Sequence, residues 1–538
     1  MNKEKGSKRK LSSDASSDED EDSEFVYFEE ESDSEPEINC DKWDNCRIVK
    51  FNYPKICTGY HLMPTCSPNP DENPNKKVKL LAEIRTNLLD GDFMKEFQNA
   101  WNKNKGFNSN ETEIIVDPFK VCVIRNFLDN PHLLNDVRQE FNDIDWNLRS
   151  MDLYEFSQSK DLKHLSEHAC INSVYQFLQN DVMKWVAALT GLTLTHISAT
   201  CSAYSNTDYL LVHDDQREDR MVAFILYLTG PEGWDESKGG ALQLLNKDSD
   251  CQPSQIVHSI LPANAQFVFF PVASDSYHQV SEVTSLGDSR LSINGWFHTK
   301  VPPVYDTPSF KSYPDGLFGE KQYKAIDFDS DLSSWLTDGY LECDVISEIH
   351  EYFEEHSEIS LKNFLREEPF NELSQLLDSN SLSWVKIGPP NRHCYEVAKT
   401  NDLPIVVDRF LRLFQSKQMF SLLGRLTGLE LNQNKASMKF ELQKWTPGCY
   451  SLLGDYDWYD KKQLDLIIHF GCKCNSDVCG ARTLYVTTDE QVQDALITLE
   501  PEENNLNLIY RDTARFTKYF SKLSRCRCFY TLICSYTE

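Results

Sequence analysis

Residues 208–215 read DYLLVHDD, residues 220–230 read RMVAFILYLTG and residues 265–272 read AQFVFFPV. Each is a short apolar stretch rich in β-branched and aromatic residues, and turn-forming residues separate one stretch from the next. Four similar stretches lie in the same region: ATCSAYS (199–205), GALQLL (240–245), HQVSEV (278–283) and RLSINGWF (290–297). Short strands separated by turns at this spacing predict an antiparallel, all-β unit between residues 197 and 297.

The same order of elements occurs twice along the chain. Helical spacing of apolar residues begins near residue 78 and returns over 346–429, and strand patterning returns over 437–536. After the first helical stretch, the segment IIVDPFKVCVIRNFL (114–128) predicts a strand followed by a capped helix. The order indicates an internal repeat of about 240 residues, hence an α+β chain with a duplicated β-domain. Two local alignments support it: AFILYLTG (223–230) with LDLIIHFG (464–471), and NAQFVFFPV (264–272) with NNLNLIYRD (504–512).

Composition narrows the classes of function. The chain has 54 Lys and Arg against 84 Asp and Glu, a formal net charge of −30. Because a negative surface repels phosphate backbones, we expect no direct nucleic-acid binding and favour basic partners. No apolar run approaches the length of a bilayer span, and the N-terminus lacks the apolar stretch of a signal peptide, so neither a membrane nor a secreted protein is expected. The 17 cysteines are then expected to be reduced thiols.

The N-terminal region differs in composition from the rest. Five basic residues lie within positions 3–10, and positions 14–37 carry 13 acidic residues interleaved with serines. Such a region cannot bury enough apolar surface to offset the entropy of ordering, so residues 1–77 are predicted to be disordered. The basic cluster is either a nuclear address or a solvated tail.

A candidate metal site lies at the end of DYLLVHDD. On a strand, residues i and i+2 point to the same face, so His213 and Asp215 are expected to converge there. An imidazole and a carboxylate suit a divalent transition metal, and a second histidine would complete a facial site. His278, which follows the apolar strand AQFVFFPV, is the best candidate for the third ligand, and His258 and His298 are alternatives.

A candidate carboxylate-binding site lies twelve residues after His278. Arg290 and Ser292 share one face of the strand RLSINGWF. An arginine buried in a β-barrel needs an anionic partner, and its fork beside a hydroxyl suits a small carboxylate. Tyr227, in the apolar strand AFILYL, is a candidate for a further hydroxyl. A metal with open positions beside such a pocket calls for a dicarboxylate cosubstrate.

At these residues the chain resembles the Fe(II)/2-oxoglutarate dioxygenases, through His213-x-Asp215, His278 and Arg290-x-Ser292. The longer stretches AFILYLTGPEGWDESKGGALQLL, FFPVASDSYHQVSEV and SRLSINGWFH are similar to the prolyl hydroxylases of the OGFOD/Tpa type, as are WTPGCYSLL and LIYRDT near the C-terminus. The resemblance covers nearly the whole chain after residue 80.

The resemblance implies a fold and a division into domains. It implies two tandem double-stranded β-helix (jelly-roll) domains with flanking helices: a catalytic domain over 78–300, a linker over 301–335 and a C-terminal domain without metal ligands over 336–538. In the second repeat, Gly454 and Tyr456 stand at the positions of His213 and Asp215.

The resemblance also implies an activity. His213, Asp215 and His278 would bind Fe(II), Tyr227, Arg290 and Ser292 would bind 2-oxoglutarate, and ascorbate would support turnover. The expected reaction is oxidative decarboxylation of 2-oxoglutarate to succinate and carbon dioxide, coupled to hydroxylation of a peptidyl proline, with C3 favoured. The implied substrate is a small-subunit ribosomal protein near the decoding centre, so hydroxylation would affect translation. The implied location of the enzyme is nucleus and cytoplasm.

Three other interpretations fit the sequence less well. A zinc hydrolase at the same three ligands would leave Arg290 and Tyr227 without a role. A non-catalytic binding protein would not need all three ligands. A separate zinc site at Cys472, Cys474 and Cys479, joined by Cys526 and Cys528, has poor ligand spacing, so reduced cysteines in or near strands are favoured.

Overall fold

The computed structural model describes residues 48–49 and 81–538, except 218, 231, 302–303, 305–321, 380, 432–433, 454–461, 473–477 and 488–494. Several predictions therefore lie outside the described residues. These are the disordered region 1–77 apart from its residues 48–49, most of the linker 301–335, and the positions Gly454, Tyr456 and Cys474. Among the described residues, no helix combines the length and apolar character that crossing a bilayer requires.

The helices lie in two groups, one before each set of long strands. Their apolar residues repeat at helical spacing, so each helix buries one face; α7, for example, buries Phe410 and Phe414. The first group is α1 (Gly91–Asn102), α2 (Leu133–Glu140), α3 (Ala169–Phe177) and α4 (Met183–Thr190), with a π-helical turn, Leu178–Val182, joining α3 to α4. The second is α5 (Cys343–His356), α6 (Glu367–Asp378), α7 (Ile405–Gln415) and α8 (Lys417–Thr427).

The strands form two sheets, each 13-stranded within the described residues. Strand β1 (Ile48–Val49) belongs to the second, C-terminal sheet. The N-terminal sheet contains β2 (Phe107–Asn108), β3 (Thr112–Ile115), β4 (Val121–Ile124), β5 (Asn147–Ser150), β6 (Tyr154–Gln158), β7 (His196–Tyr204), β8 (Tyr209–His213), β9 (Arg220–Tyr227), β10 (Leu242–Lys247), β11 (Pro253–Ile260), β12 (Phe267–Pro271), β13 (His278–Val280) and β14 (Arg290–His298). The rest of the C-terminal sheet is β15 (Tyr323–Lys324), β16 (Glu358–Leu361), β17 (Trp384–Ile387), β18 (His393–Ala398), β19 (Ser437–Trp445), β20 (Tyr450–Ser451), β21 (Gln463–Phe470), β22 (Thr483–Val486), β23 (Ala495–Leu499), β24 (Leu506–Arg511), β25 (Ala514–Thr517) and β26 (Phe529–Thr537).

One local prediction is wrong. The segment IIVDPFKVCVIRNFL forms two antiparallel strands, β3 and β4, instead of a strand and a helix. Strand β4 is buried along its whole length because β12 covers its other edge. Pairing on both edges outweighs the helical spacing of its apolar residues.

The two sheets share a pattern of pairing. In the N-terminal sheet, β14 lies between β7 and β9, and its nine residues pair with β7 from Arg290–Tyr204 to His298–His196. In the C-terminal sheet, β26 lies between β19 and β21, and its nine residues pair with β19 from Phe529–Trp445 to Thr537–Ser437. Strand β13 likewise lies between β8 and β10, as β25 lies between β20 and β22.

Among the described residues, the two sheets belong to one compact unit. Each sheet has its own large apolar core, and a smaller aromatic cluster joins them: Tyr209 and Leu211 of β8 pack with Tyr450, Leu452 and Tyr519. Polar contacts cross the same boundary. The buried Glu282 carboxylate accepts hydrogen bonds from the Ser521 hydroxyl and, at 2.8 Å, from the Lys522 amide. The Lys518 ammonium reaches Ser150 at 2.7 Å and Glu155 at 3.1 Å.

Candidate active site

The strand register brings two histidines face to face. His213 is the last residue of β8 and pairs directly with His278, the first residue of β13. The next pair along the ladder is Leu210 with Val280, so three residues of β8 span the same length as two of β13. His278 and Val280 share one face of the sheet, and this bulge allows both Leu210 and His213 to pair with them. Strict alternation would place Leu210 and His213 on opposite faces.

The carboxylate reaches the histidines by a different route from the predicted one. The strand ends at His213, and Asp215 lies in irregular chain with φ of +66°. The i and i+2 alternation of a strand therefore does not explain why His213 and Asp215 converge. Asp215 turns back because it adopts the left-handed conformation, which aspartate tolerates better than most residues.

The three side chains form a compact set of ligand atoms. Asp215 Oδ1 lies 3.5 Å from His213 Nε2, and Asp215 Oδ2 lies 3.4 Å from His278 Nε2. The other ring nitrogen of each histidine donates to a backbone carbonyl: His213 Nδ1 to Leu211 O at 2.8 Å and His278 Nδ1 to Ser276 O at 2.7 Å. In the neutral rings these bonds place the proton on Nδ1, which leaves the Nε2 lone pair for a metal, as metal-binding histidines require.

The electrostatics of the set fit a cation. Burial, together with the neighbouring His278, lowers the pKa of His213 to about 4, so this imidazole is neutral at neutral pH. Burial works against ionisation of Asp215, but the hydrogen bond and charge of His278 outweigh it and hold the pKa of this carboxyl well below its usual range. Burial opposes protonation of His278, but the hydrogen bond and charge of Asp215 raise the pKa of this ring. Because a neutral imidazole and an ionised carboxylate are the forms that bind a divalent metal, binding would displace a proton from His278. The residues present therefore fit Fe(II) in a facial arrangement.

Arg220 is a neighbour that the sequence did not single out. Its Nη1 lies 3.4 Å from the Asp215 carbonyl and 3.9 Å from Asp215 Oδ1. Its guanidinium carbon stacks 3.4 Å from the centroid of the Trp296 ring. Arg220 therefore holds the irregular segment against β14, and nothing local to it in the sequence signals this contact.

The predicted carboxylate pocket is assembled around Arg290. Ser292 on β14 pairs with Tyr227 on β9, which places both side chains beside the guanidinium. Arg290 is 1% exposed, and its Nη1 and Nη2 reach Ser292 Oγ and Tyr227 Oη, each at 3.3 Å. Its Nε donates to Gly240 O at 2.8 Å. All of these acceptors are uncharged, so they leave the positive charge available to an anion.

Two neighbours of this pocket were missed from the sequence. The Tyr204 ring lies 4.9 Å from the Arg290 guanidinium carbon, and Arg290 pairs with Tyr204 in the ladder. Gly240 has φ of +67°, and a Cβ there would lie 2.9 Å from Arg290 Cδ. The Gly239-Gly240 pair was therefore a usable signal that backbone passes close to a ligand site.

A second set of two histidines and an aspartate lies elsewhere on the N-terminal sheet. His298 belongs to it, with His196 and Asp219, and is therefore not a ligand of the first set. Both ring nitrogens of His298 are in use, with Asp219 Oδ1 and Ser198 Oγ each at 2.8 Å. The rings of His196 and His298 stack nearly parallel, 4.5 Å apart. His258 lies on β11 with an exposed side chain, outside both sets.

The cysteine cluster is only partly described. Cys472 is buried, and Cys479, Cys526 and Cys528 are partly buried. Among the described residues, the groups able to hold a metal are the two histidine and aspartate sets, and neither includes a cysteine. None of the described cysteines forms a disulfide.

Comparison with known proteins places the chain in a family. A model described as the 2OG-Fe(II) oxygenase superfamily matches residues 199–298, which contain every candidate site residue. A second family model matches residues 327–537 and is described as oxoglutarate and iron-dependent oxygenase degradation C-term. Prolyl 3-hydroxylase sudestada1 of Drosophila melanogaster is 34% identical over 497 residues, 84% of this chain and 90% of that protein. The chain belongs to the prolyl 3-hydroxylase family of 2OG-Fe(II) oxygenases.

Other relatives agree with this assignment. Prolyl 3-hydroxylase OGFOD1 of Mus musculus is 32% identical over 521 residues, 83% of this chain and 93% of that protein. Among solved structures, a Pseudomonas putida prolyl-4-hydroxylase is 18% identical with a TM-score of 0.29, over 38% of this chain and 99% of that one, which is too distant to support a conclusion. The predicted resemblance is confirmed, and with it the jelly-roll fold of the superfamily.

Proposed function

We propose that the protein is a 2-oxoglutarate- and Fe(II)-dependent prolyl 3-hydroxylase. One observation carries the proposal: a largely buried set of two imidazoles and a carboxylate lies in the same sheet as a buried arginine whose hydrogen-bond partners are all uncharged. A metal site of this kind and a site for a carboxylate anion together match the needs of a metal-binding 2-oxo acid. The names of the relatives, prolyl 3-hydroxylases, support proline and its C3 position as the target.

Each site residue has a role in the proposal. His213, Asp215 and His278 bind Fe(II), and Arg290, Tyr227 and Ser292 bind the distal carboxylate of 2-oxoglutarate. Bound iron and 2-oxoglutarate supply oxidative decarboxylation to succinate and carbon dioxide, together with hydroxylation of a prolyl C–H bond. Ascorbate is proposed as the reductant that keeps the iron ferrous.

The chain's own contribution is orientation and exclusion of water. The bonds from His213 and His278 to backbone carbonyls hold the rings in the metal-binding tautomer. Arg290 and Tyr227 are 1% and 0% exposed, so a carboxylate bound there is shielded from water, and its ionic bond to the guanidinium is stronger than it would be at the surface.

We propose further that the chain contains two tandem double-stranded β-helix domains, over 78–300 and 336–538 with a linker at 301–335, and that only the first is catalytic. The matching strand registers support this. By register, Phe529, Thr531 and His469 stand where the first sheet has Arg290, Ser292 and Tyr227. The C-terminal position thus lacks the arginine that a dicarboxylate needs.

The metal position of the C-terminal sheet has also changed. Leu244 pairs with His278 in the first sheet, and the equivalent pair in the second is Tyr485 with Arg515. Arg515 therefore stands in place of the second metal-binding histidine. Its Nη1 lies 2.6 Å from Asp465, which is fully buried. A guanidinium cannot ligate a metal, which supports a non-catalytic role for this domain.

The substrate proposed is a proline in a small-subunit ribosomal protein near the decoding centre, modified in the nucleus and cytoplasm with an effect on translation. The net charge of −30 supports a basic polypeptide partner, and it disfavours nucleic acid. The basic cluster at positions 3–10 supports nuclear entry. We propose no membrane partner.

The test is 2-oxoglutarate turnover under air with Fe(II) and ascorbate. A proline-containing ribosomal peptide is compared with the same peptide carrying alanine, and wild type with His213→Ala. His298→Ala is the matched control, because it removes a histidine from the other histidine and aspartate set. We expect succinate and a peptide heavier by one oxygen (about 16 Da) only with proline and intact His213, and 3-hydroxyproline on hydrolysis. Tight zinc with no peptide-dependent turnover would overturn the proposal in favour of a hydrolase.

A further inference from the structure

A cleft of about 600 Å³ lies along the boundary between the two sheets. Its N-terminal side is formed by β8 and β13, the strands that end and begin at His213 and His278. Its C-terminal side includes Tyr395, Tyr450 and Tyr519 and, beside them, two cysteines, Cys394 and Cys449. Both cysteines line the cleft, where Cys394 is partly exposed and Cys449 is buried.

The pairing of β18 with β20 makes the two cysteines neighbours. Cys394 on β18 pairs with Tyr450 on β20, and Cys449 immediately precedes Tyr450. This register places Cys394 beside Cys449, and each thiol shifts the pKa of the other. The Thr446 amide, at 3.3 Å, donates to the Cys449 sulfur, and the Thr446 hydroxyl lies 3.5 Å from it. Donors therefore converge on one sulfur of the pair.

This arrangement treats the two thiols differently. The neighbouring Cys394, together with the donors of Thr446, lowers the pKa of Cys449, although burial opposes this shift. The neighbouring Cys449, together with burial, raises the pKa of Cys394 above its ordinary value. Because the thiolate is the nucleophilic form, Cys449 is the reactive member and Cys394 is held as a protonated thiol beside it.

Three other cysteines show the opposite effect. Cys122, Cys201 and Cys534 are fully buried, and burial raises the pKa of each. Cys251 is exposed on the N-terminal sheet's side of the chain and provides an accessible comparison. Only a thiolate with a second thiol in contact can pass from an oxidised sulfur to a disulfide within one protein chain.

We propose that Cys449 and Cys394 form a peroxide-reactive dithiol site in the boundary cleft, with Cys449 as the nucleophile and Cys394 as the resolving thiol. The Cys449 thiolate attacks one oxygen of hydrogen peroxide, the O–O bond breaks, and hydroxide leaves with sulfenic acid on Cys449. The Cys394 thiol then attacks that sulfur, and a disulfide forms as water leaves. In sum, two thiols and one hydrogen peroxide give one disulfide and two waters, with both sulfurs oxidised and the peroxide reduced.

The position of the pair gives the reaction a structural consequence. Cys394 packs against the aromatic cluster of Tyr209, Leu211, Tyr450, Leu452 and Tyr519 that joins the two sheets. A disulfide at this point would tie β18 to the segment before β20, within that cluster. The site is independent of the proposed hydroxylase reaction, since it needs neither iron nor 2-oxoglutarate.

The experiment uses the full-length protein treated with a chelator, so that bound iron does not react with peroxide. One equivalent of hydrogen peroxide is added, remaining thiols are alkylated, and the digest is analysed by mass spectrometry with and without prior reduction. We expect a linked peptide pair containing Cys394 and Cys449, about 2 Da lighter than the two thiol peptides, which disappears on reduction.

Two variants assign the roles. Cys449→Ser should abolish peroxide consumption at this site, whereas Cys394→Ser should leave a sulfenic acid on Cys449 that dimedone traps. The proposal is overturned if Cys394 and Cys449 are both recovered as thiols while Cys251 is oxidised, or if dimedone labels Cys394 in Cys449→Ser.

Discussion

Replacing Arg290 by methionine should stabilise the protein when 2-oxoglutarate is absent. The guanidinium is 1% exposed, and its described acceptors are the Gly240 carbonyl at 2.8 Å and two hydroxyls at 3.3 Å. Removing a buried charge that lacks an acidic partner removes a desolvation cost of several kcal/mol from the folded state, whereas the lost hydrogen bonds cost about 1 kcal/mol each. The two bonds at 3.3 Å are long and therefore cost less. We expect a net gain of about 1–2 kcal/mol in the free energy of unfolding.

The assay is chemical and thermal unfolding of the manganese-loaded protein with and without 2-oxoglutarate. Wild type should gain about 2.7 kcal/mol when the ligand is present at a hundred times its dissociation constant, and Arg290→Met should gain almost nothing. Arg515→Met is the matched control. Arg515 is paired with the buried Asp465 at 2.6 Å, so its loss should cost about 3–5 kcal/mol with or without the ligand.

The two variants therefore have opposite signs although both remove a buried arginine. If Arg290→Met were less stable than wild type in the absence of 2-oxoglutarate, the neutral oxygens would already compensate the charge. If that variant were still stabilised by 2-oxoglutarate, Arg290 would not bind its carboxylate. Either result would refute the reasoning.

Three other predictions concern the metal, the pH and the boundary between sheets. His213→Ala should abolish binding of Mn(II) in isothermal titration whereas His298→Ala retains it; equal loss in both would contradict the ligand assignment. Burial raises the pKa of Asp208 to about 7, above its unfolded value, so the stability it adds is complete at acid pH and is lost as pH rises through 7. The free energy of unfolding should therefore fall by about 1 kcal/mol from pH 6 to pH 8 through this residue, and Asp208→Asn should remove that change. Glu282→Gln should lower the free energy of unfolding by about 1–2 kcal/mol, because a buried carboxylate accepting from Ser521 and Lys522 would be replaced by a neutral acceptor; unchanged stability and unchanged protease cleavage would exclude a role in joining the sheets.

The sequence predicted the strands well because each buried strand has its own local signal. RMVAFILYLTG and RLSINGWF became β9 and β14, which are adjacent, so Tyr227 and Arg290 were expected in one pocket and are found in contact. Position along a strand decides which face a side chain takes, and this information is local. The internal repeat was predicted from the same kind of local signal, the pattern of apolar strands in each half.

The geometry at Asp215 could not be predicted in this way. Strand β8 ends at His213, and the left-handed conformation of Asp215, not the alternation of a strand, brings its carboxylate back to the histidines. Alternation suggested the right neighbours for the wrong reason. The segment 114–128 failed similarly, because β12, more than a hundred residues later, decides that its second half is a strand. The contact of Glu282 with Ser521 joins residues 239 apart, and no local pattern indicates such a pair.

Arg515 gives the C-terminal sheet a property that the first sheet does not share. In the first sheet the positive charge between the histidines is proposed to come from an exchangeable ion, whose occupancy follows the supply of iron. In the second sheet the charge at the corresponding place belongs to a side chain and is neutralised by Asp465 of the same polypeptide. On the proposed roles, loss of iron would remove the positive charge from the first sheet but would leave the Arg515–Asp465 pair of the second sheet in place.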